Sequence, residues 1–304
     1  MTKRDDWTMP QRPVSADDPA LADVLRSTRV VDLTLLLAED LPCTWPGHMW
    51  YQHKTFSWFC DRPDPAAKLV NRSGAPYQTR WLALDEHTGT HLDAPSHFVP
   101  PPGSSLPHEG EAGQKSVADV PLAQSMGPAV VIDADGAENV PPGTSPPIGP
   151  DVIVKWEDRH GSIDPGDVVL FRSGWDRLYR RGGSGGHYGW DVLISGSRAG
   201  WPAPTAETIE LLHERGVLCV GTDGLSVGAA EDGVPAHLAG LSRSMVFVEA
   251  LSNLATLPPR GAFFMMLPLK IEGGTGGPGR AIAFVPAQVR AVREPQRLIR
   301  SGRG

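Results

Sequence analysis

The chain has 304 residues, 28 Lys+Arg against 35 Asp+Glu, and a formal net charge of −7. With 40% hydrophobic and 21% charged residues it suits an ordinary soluble globular protein with a substantial core, and its acidic balance excludes a general phosphate-backbone binder, which needs a basic face. Cys43, Cys60 and Cys219 are too few and too scattered for a disulfide framework; with no apolar signal core at the N-terminus and no run of about 18 apolar residues, a cytoplasmic protein without a membrane span is expected.

Residues 1–20 are polar and proline-bearing and read as a loose arm or an oligomer-clasping tail. Residues 30–37 (VVDLTLLL) predict a strand. Residues 42–80 are irregular but aromatic-rich, with Trp45, Trp50, Tyr51, Phe56, Trp58 and Phe59, which by default pack in core or loop. Residues 81–84 predict a short strand running into a histidine cluster, and 100–107 a loop. Residues 129–133 (AVVID) read as a buried strand, 141–150 as a proline-rich connection, 151–160 as a short helix and 166–172 as a strand. The glycine stretches at 182–186 and 273–279 lack the patterns of phosphate loops and read as flexible. Residues 205–215 carry the clearest amphipathic helix, with Ile209, Leu211 and Leu212 on one side and Gly216 at its end. Strands are expected at 217–221, and further apolar runs occupy 245–251, 263–270 and 281–285. Many strands with few helices do not make the regular alternation of a doubly wound sheet. The reading is one α/β (α+β) domain with a β-rich core over 30–290, an N-terminal arm over 1–29 and a C-terminal tail over 291–304.

The chemistry concentrates at residues 85–98, DEHTGTHLDAPSHF, which hold His87, His91, Asp93 and His97. Imidazole nitrogen and carboxylate oxygen are the usual ligands of Zn²⁺ and related divalent ions. In extended backbone, positions two and four apart point the same way, so His87, His91 and Asp93 converge without a helix. Gly89 permits a tight turn and Pro95 stops a helix. A lone histidine is usually a surface or core residue, but three with an acid between Gly and Pro point to a metal. The pairs His108–Glu109 and His213–Glu214 lack a second histidine and read as surface residues.

HTGTHLDAPSHF resembles the H-x-G-T-H-x-D-x-P-x-H signature of the cyclase family, which contains bacterial kynurenine formamidases and isatin hydrolases. The resemblance continues through TWPG at 44–47, PGDVVLFRSGW at 165–175, VGTDGLSVG at 220–228 and MLPLKIEG at 266–273. It implies a swivelling β/β/α domain in a homodimer or homotetramer, with a small-molecule amide or lactone as substrate and neither nucleic acid nor membrane as partner. It implies that His87, His91 and Asp93 bind a first metal, that His237 and Glu249 with Asp93 face a second, that His97 is the general acid/base and that Trp45 touches substrate. Zn²⁺ or Mn²⁺, as one or two ions, suits ligands without cysteine. The apolar surroundings of Glu249 (MVFVEAL) independently require a partner for a buried carboxylate. Asp223 reads either as a residue orienting a ligand histidine or as a turn cap, and Arg280 as a structural pair sooner than a substrate contact.

The implied activity is hydrolysis of a C–N bond in a small aryl or cyclic amide by metal-activated water. The rivals are lactone opening or Lewis-acid cyclisation–dehydration at the same site, and a non-enzymatic metal-stabilised binding protein, against which His97 argues. The chain departs from compact kynurenine formamidases by its arm and by extra residues near 47–80 and 181–200. Such loops reset substrate choice, which favours a ring amide of the isatin type or another apolar amide or lactone over N-formylkynurenine.

Overall fold

The computed structural model describes residues 19–59, 77–134 and 140–287. The elements in chain order are helix α1 (Leu21–Arg26) and strands β1 (Thr28–Asp32), β2 (Gln52–Ser57), β3 (Thr79–Ala83), β4 (His91–Asp93), β5 (Met126–Asp133) and β6 (Pro147–Ile148). Then come α2 (Pro150–His160), β7 (Val168–Arg172), α3 (Trp190–Leu193), β8 (Ala203–Pro204), α4 (Ala206–Glu214), β9 (Cys219–Thr222), α5 (Val234–Leu241), β10 (Val246–Glu249), β11 (Ala262–Pro268) and β12 (Gly276–Pro286).

Eight strands form one sheet in the order β1-β12-β11-β5-β7-β9-β10-β4, and β12 also pairs with β4. That last pairing closes seven of them into a barrel-like ring. The long β12 carries β11 on one edge, and β4 followed by β1 on the other. β5, β7, β9 and β10 are parallel. Parallel neighbours need crossovers, and α2, α4 and α5 lie in the three connections between them. β2 and β3 form a separate two-stranded ribbon.

The pleat sorts the side chains. On β5 and β7, Ala129, Val131, Val168 and Leu170 join one core cluster with Leu92, Val246, Val248, Phe264 and Met266, inside the ring. Their neighbours Val130, Ile132, Val169 and Phe171 join a second cluster with Ile153, Trp156, Ile209, Leu212 and Phe247, beneath the helices. Alternation with period two on strands buried on both faces produces the near-continuous apolar runs seen in the sequence. A third cluster gathers Leu35, Trp175, Tyr188, Trp201 and Leu225. This is the expected β-rich α+β architecture and the swivelling β/β/α domain that the resemblance implied.

Several expectations are corrected. The run 30–37 is strand only to Asp32. Beyond it the backbone crosses from β12 to the end of β10, with Leu33 N–H bonded to Ala281 O (2.9 Å) and Ser252 N–H to Leu33 O (2.9 Å). Thr34 makes an isolated bridge with Leu251. The strand begins at Thr28, inside the segment read as arm; residues 1–18, 60–76 (with Cys60) and 291–304 lie outside the described residues. The aromatic residues of 45–59, expected in core or loop, divide: Trp50, Trp58 and Phe59 are more than half exposed, Tyr51 is buried and Trp45 packs against the third cluster. Residues 181–189 are ordered into a 3₁₀ segment at Gly183–Tyr188, because the Tyr188 side chain is buried and its carbonyl accepts from Trp175 Nε1 (3.0 Å). In α4, Thr205 caps the first turn through Thr208 N–H (3.3 Å) and Gly216 follows at φ +82°, but Leu211 is only half-buried. Arg280 pairs with Asp32 (Nε–Oδ1 3.0 Å), a structural role.

Candidate metal centre

The alternation that places Leu92 and Val248 inside the ring turns His91, Asp93 and Glu249 to its outer face. β4 and β10 are antiparallel with His91 opposite Glu249 and Phe247 opposite Asp93, and directly opposed residues share a face. The helix α5 lies against that face and delivers His237, whose ring stacks on Phe98 at 4.0 Å between centroids. His87 does not arrive on extended backbone. It stands in a turn before β4, its N–H bonded to Asp85 Oδ1 (2.8 Å), with Gly89 at φ +62° redirecting the chain. His97 ends a short 3₁₀ turn, Pro95–His97, and stacks on His87 at 3.9 Å.

All the expected ligands therefore meet. His87 Nδ1 is 2.8 Å from Asp93 Oδ1, and His91 Nε2 is 3.3 Å from the same oxygen and 3.6 Å from Glu249 Oε2. His237 Nε2 is 3.2 Å from Glu249 Oε1 and 3.7 Å from Asp93 Oδ2. Among the described residues, two groups have their ligand atoms within 4.8 Å of one another: His87, Asp93 and His97, and His91, Asp93 and Glu249. Asp93 belongs to both.

The donors fit a cation. His91 Nδ1 and His237 Nδ1 bond to the carbonyls of Gly89 and Gly233, each at 2.7 Å. A carbonyl only accepts, so these nitrogens carry the protons and both Nε2 atoms turn bare lone pairs toward carboxylates. Asp93 is fully buried and its Oδ2 has no hydrogen-bond partner among the described residues. Lone pairs facing carboxylate oxygens in a dry site require positive charge between them. If protons supply it, burial pushes both imidazoles toward neutrality but Asp93 and Glu249 overcome it, raising His91 to about 9 and His237 to about 10. Asp93, despite burial, is held well below the usual carboxylate range by His97, His237, His87 and His91. Burial brings His97 down to about 4, so it is neutral near pH 7.

A cavity of about 260 Å³ opens onto this cluster, walled by Trp45, Phe98, Tyr188 and Leu225. Trp45 is half-buried there, edge-on to Trp201 at 6.1 Å. A second cavity of about 370 Å³ shares Pro42, Trp45, Tyr188 and Leu225 and extends to Trp50 and Trp190. Asp223 is not at a ligand histidine. Its carboxylate accepts from Ser173 N–H (2.9 Å), Ser173 Oγ (2.6 Å) and Gly174 N–H (2.7 Å), which makes it a turn cap. Burial raises it to about 6.

Some supporting residues escaped the sequence reading. Ser226 Oγ (2.9 Å) and Val227 N–H (2.7 Å) donate to Glu249 Oε1; both stand in the VGTDGLSVG segment already noted for its resemblance. Thr275 and Glu86 meet at His87. The run 273–279 is no free loop: from Gly276 it is strand, and a Cβ there would lie 2.6 Å from His87 Cε1. The helix carrying His237 was also unread, although Pro235 in its first turn followed by AHLAGL was a usable start signal.

The family model of the Cyclase family matches residues 31–229. The isatin hydrolase of Roseibium aggregatum is 35% identical over 219 residues, covering 70% of this chain and 77% of its own. The kynurenine formamidase of Erythrobacter litoralis is 29% identical over 255 residues, 84% of this chain and 93% of its own. Among solved structures, an isatin hydrolase A from Labrenzia aggregata bound to benzyl benzoate superposes with a TM-score of 0.68 at 31% identity, covering 88% of this chain and 96% of that one. An isatin hydrolase A from Ralstonia solanacearum gives 0.69 at 30%, covering 90% and 100%. A matched histidine segment, a shared fold and a matching family model agree: the chain belongs to the Cyclase family, as a hydrolase grouped with isatin hydrolases and kynurenine formamidases.

Proposed function

We propose that this hydrolase cleaves the C–N bond of a small aryl or cyclic amide of the isatin type, with His97 as general acid/base. The observation that carries the proposal is Asp93, fully buried, shared by two histidine–carboxylate groups, left with an oxygen unpartnered among the described residues, and set behind His87, His91, His97, His237 and Glu249, which line an aromatic-walled cavity. His87, His91, Asp93, His237 and Glu249 would hold Zn²⁺ or Mn²⁺, as one ion or two. A bound divalent ion lowers the pKa of water and polarises a carbonyl oxygen.

The remaining steps belong to the chain. Trp45, Phe98 and Leu225 offer apolar faces to an aryl ring and exclude water. His97 is neutral near pH 7. It takes the proton of the attacking water and returns it to the departing nitrogen, so the C–N bond opens to a carboxylic acid and an amine. In a cyclic amide both groups stay in one product, heavier by one water. The substrate choice follows the second cavity and Tyr188, both built partly from the 181–200 segment in which this chain exceeds compact kynurenine formamidases. We place the enzyme in the cytoplasm as a homodimer or homotetramer of a 30–290 domain. Among the described residues no helix is long and apolar enough to cross a membrane.

The test is elemental analysis of the purified protein beside a His87→Ala/Asp93→Ala variant, then mass spectrometry of products from isatin, aryl formamides and lactones. One or two equivalents of Zn or Mn, lost in the variant, and a mass gain of one water on an amide are expected. A folded parent that takes up no metal on reconstitution would sink the reading, and loss of one water from the substrate would replace hydrolysis with dehydration.

A further inference from the structure

Three imidazoles face the carboxylates, but they are not turned the same way. His91 and His237 give their Nδ1 protons to backbone carbonyls and present Nε2. His87 presents Nδ1, at 2.8 Å from Asp93 Oδ1. Among the described residues no backbone carbonyl bonds its other nitrogen; His87 Nε2 instead meets Thr275 Oγ1 at 3.2 Å.

A threonine hydroxyl has one proton and can donate or accept. Here the donation is already committed. Thr275 Oγ1 donates to Glu86 Oε1 at 2.8 Å, and Thr275 N–H donates to Glu86 Oε2 at 3.0 Å, so one carboxylate grips the residue at both of its donors. What the hydroxyl has left is lone pairs, and the only favourable partner for His87 Nε2 is then an N–H. We propose that Glu86 and Thr275 are positioning residues that lock His87 in its Nε2–H tautomer and aim a bare Nδ1 at the metal position beside Asp93. This inference rests on the metal reading of the site, since a bare Nδ1 at 2.8 Å from an Asp93 oxygen needs a cation between them.

The surroundings hold the ring for this task. His97 stacks on one side at 3.9 Å, and Gly276 approaches so closely that a Cβ would sit 2.6 Å from His87 Cε1. A Cβ on Gly274 would lie 2.9 Å from Glu86 Oε2. The glycine run therefore clears space for both members of the relay while the bend just before β12 supplies Thr275. A ligating histidine whose second nitrogen is oriented by a hydrogen-bonded partner binds metal better, and loss of such a partner commonly weakens affinity by about 10–100-fold.

The experiment compares the parent with Thr275→Ser, Thr275→Val and Glu86→Ala, each first shown to be folded by thermal unfolding. Chelator competition with Mn²⁺ and Zn²⁺ reads affinity. Long-range ¹⁵N–¹H spectra of ¹⁵N-histidine-labelled, zinc-loaded protein read the His87 tautomer, assigned by difference from His87→Gln. The expected result is Nε2–H in the parent and in Thr275→Ser, with parental affinity in the latter. Thr275→Val and Glu86→Ala should bind metal about 10–100-fold more weakly, because the first leaves the Nε2–H without an acceptor and the second frees the hydroxyl proton to turn to Nε2. An Nδ1–H tautomer in the parent overturns the proposal. So does unchanged affinity in both disrupting variants, or an equal loss in Thr275→Ser and Thr275→Val, which would mark a steric role. If the parent binds neither metal, the metal reading falls and the relay with it, whereas parental affinity in both disrupting variants overturns the relay alone.

Discussion

The two faces of the β4–β10 ladder differ as much as any two regions of the molecule. Inward, Leu92 and Val248 are fully buried among aliphatic side chains of the ring. Outward, one residue along each strand, His91, Asp93 and Glu249 are almost as deeply buried but meet imidazoles and carboxylates. Burial is therefore not what separates structural from functional positions here. The pleat is: it alternates apolar anchors with ligands along each strand, so tightly buried aliphatic side chains hold a buried polar cluster in place.

Substitutions one residue apart break this comparison in opposite ways. Asp93→Ala removes the carboxylate common to both ligand groups. It should abolish metal retention and lower kcat/KM by at least about a thousandfold, since metal-ion catalysis supplies several kcal/mol; elemental analysis and steady-state kinetics check it. Leu92→Ala, its neighbour, should cost about 2–5 kcal/mol of stability while the folded fraction keeps its metal, as denaturant titration with elemental analysis will show. If Leu92→Ala loses metal without losing stability, the two faces are not separable in this way.

Removing the metal sharpens the outer face alone. With protons standing in, His91 titrates at about 9 and His237 at about 10, above the ordinary 6.5. Folded values above the unfolded one mean that the native state binds the extra protons. Their stabilisation is complete below about pH 6.5 and is lost as the pH rises through 9 and 10. Chelator-treated protein should thus show a Tm that falls between pH 6.5 and 10, whereas metal-loaded protein, whose ring nitrogens are occupied, should not. Parallel profiles would contradict the shared use of these nitrogens by protons and metal.

How much of this was visible in the chain depends on how far apart the partners lie. His91 and Asp93 are two residues apart on one strand, so period two alone put them on one face. His87 and His97 were legible as members of the cluster but not in their geometry, because turns at Gly89 and Pro95 set it. Glu249 was marked by its apolar neighbours. His237 was legible only through resemblance, since α5 is a short helix whose few polar positions gave no amphipathic signal. Glu86 and Thr275 were out of reach: they stand 189 residues apart and meet only because β12 pairs with β4. The same pairing, closing the ring, is what no local pattern announces, and it explains why 273–279 read as loop.

The smallest effect is expected at Asp223, a buried carboxylate that is near the site in sequence logic but not in chemistry. It faces only donors, at Ser173 and Gly174, so Asp223→Asn would turn an amide N–H₂ against a backbone N–H and cost about 1–2 kcal/mol. Metal content and kcat should stay at parental values. The pH signature has its own sign. Burial raises Asp223 to about 6, above the unfolded 3.8, so the native state holds its proton longer and this group's contribution to stability declines as the pH rises through 3.8 toward 6. Asp223→Asn, which does not titrate, should remove that decline from the stability profile between pH 4 and 6. Loss of metal in this variant would instead tie Asp223 to the ligand histidines and extend the outer-face cluster beyond β4 and β10; an unchanged metal content with a flattened acid limb confines it to the turn.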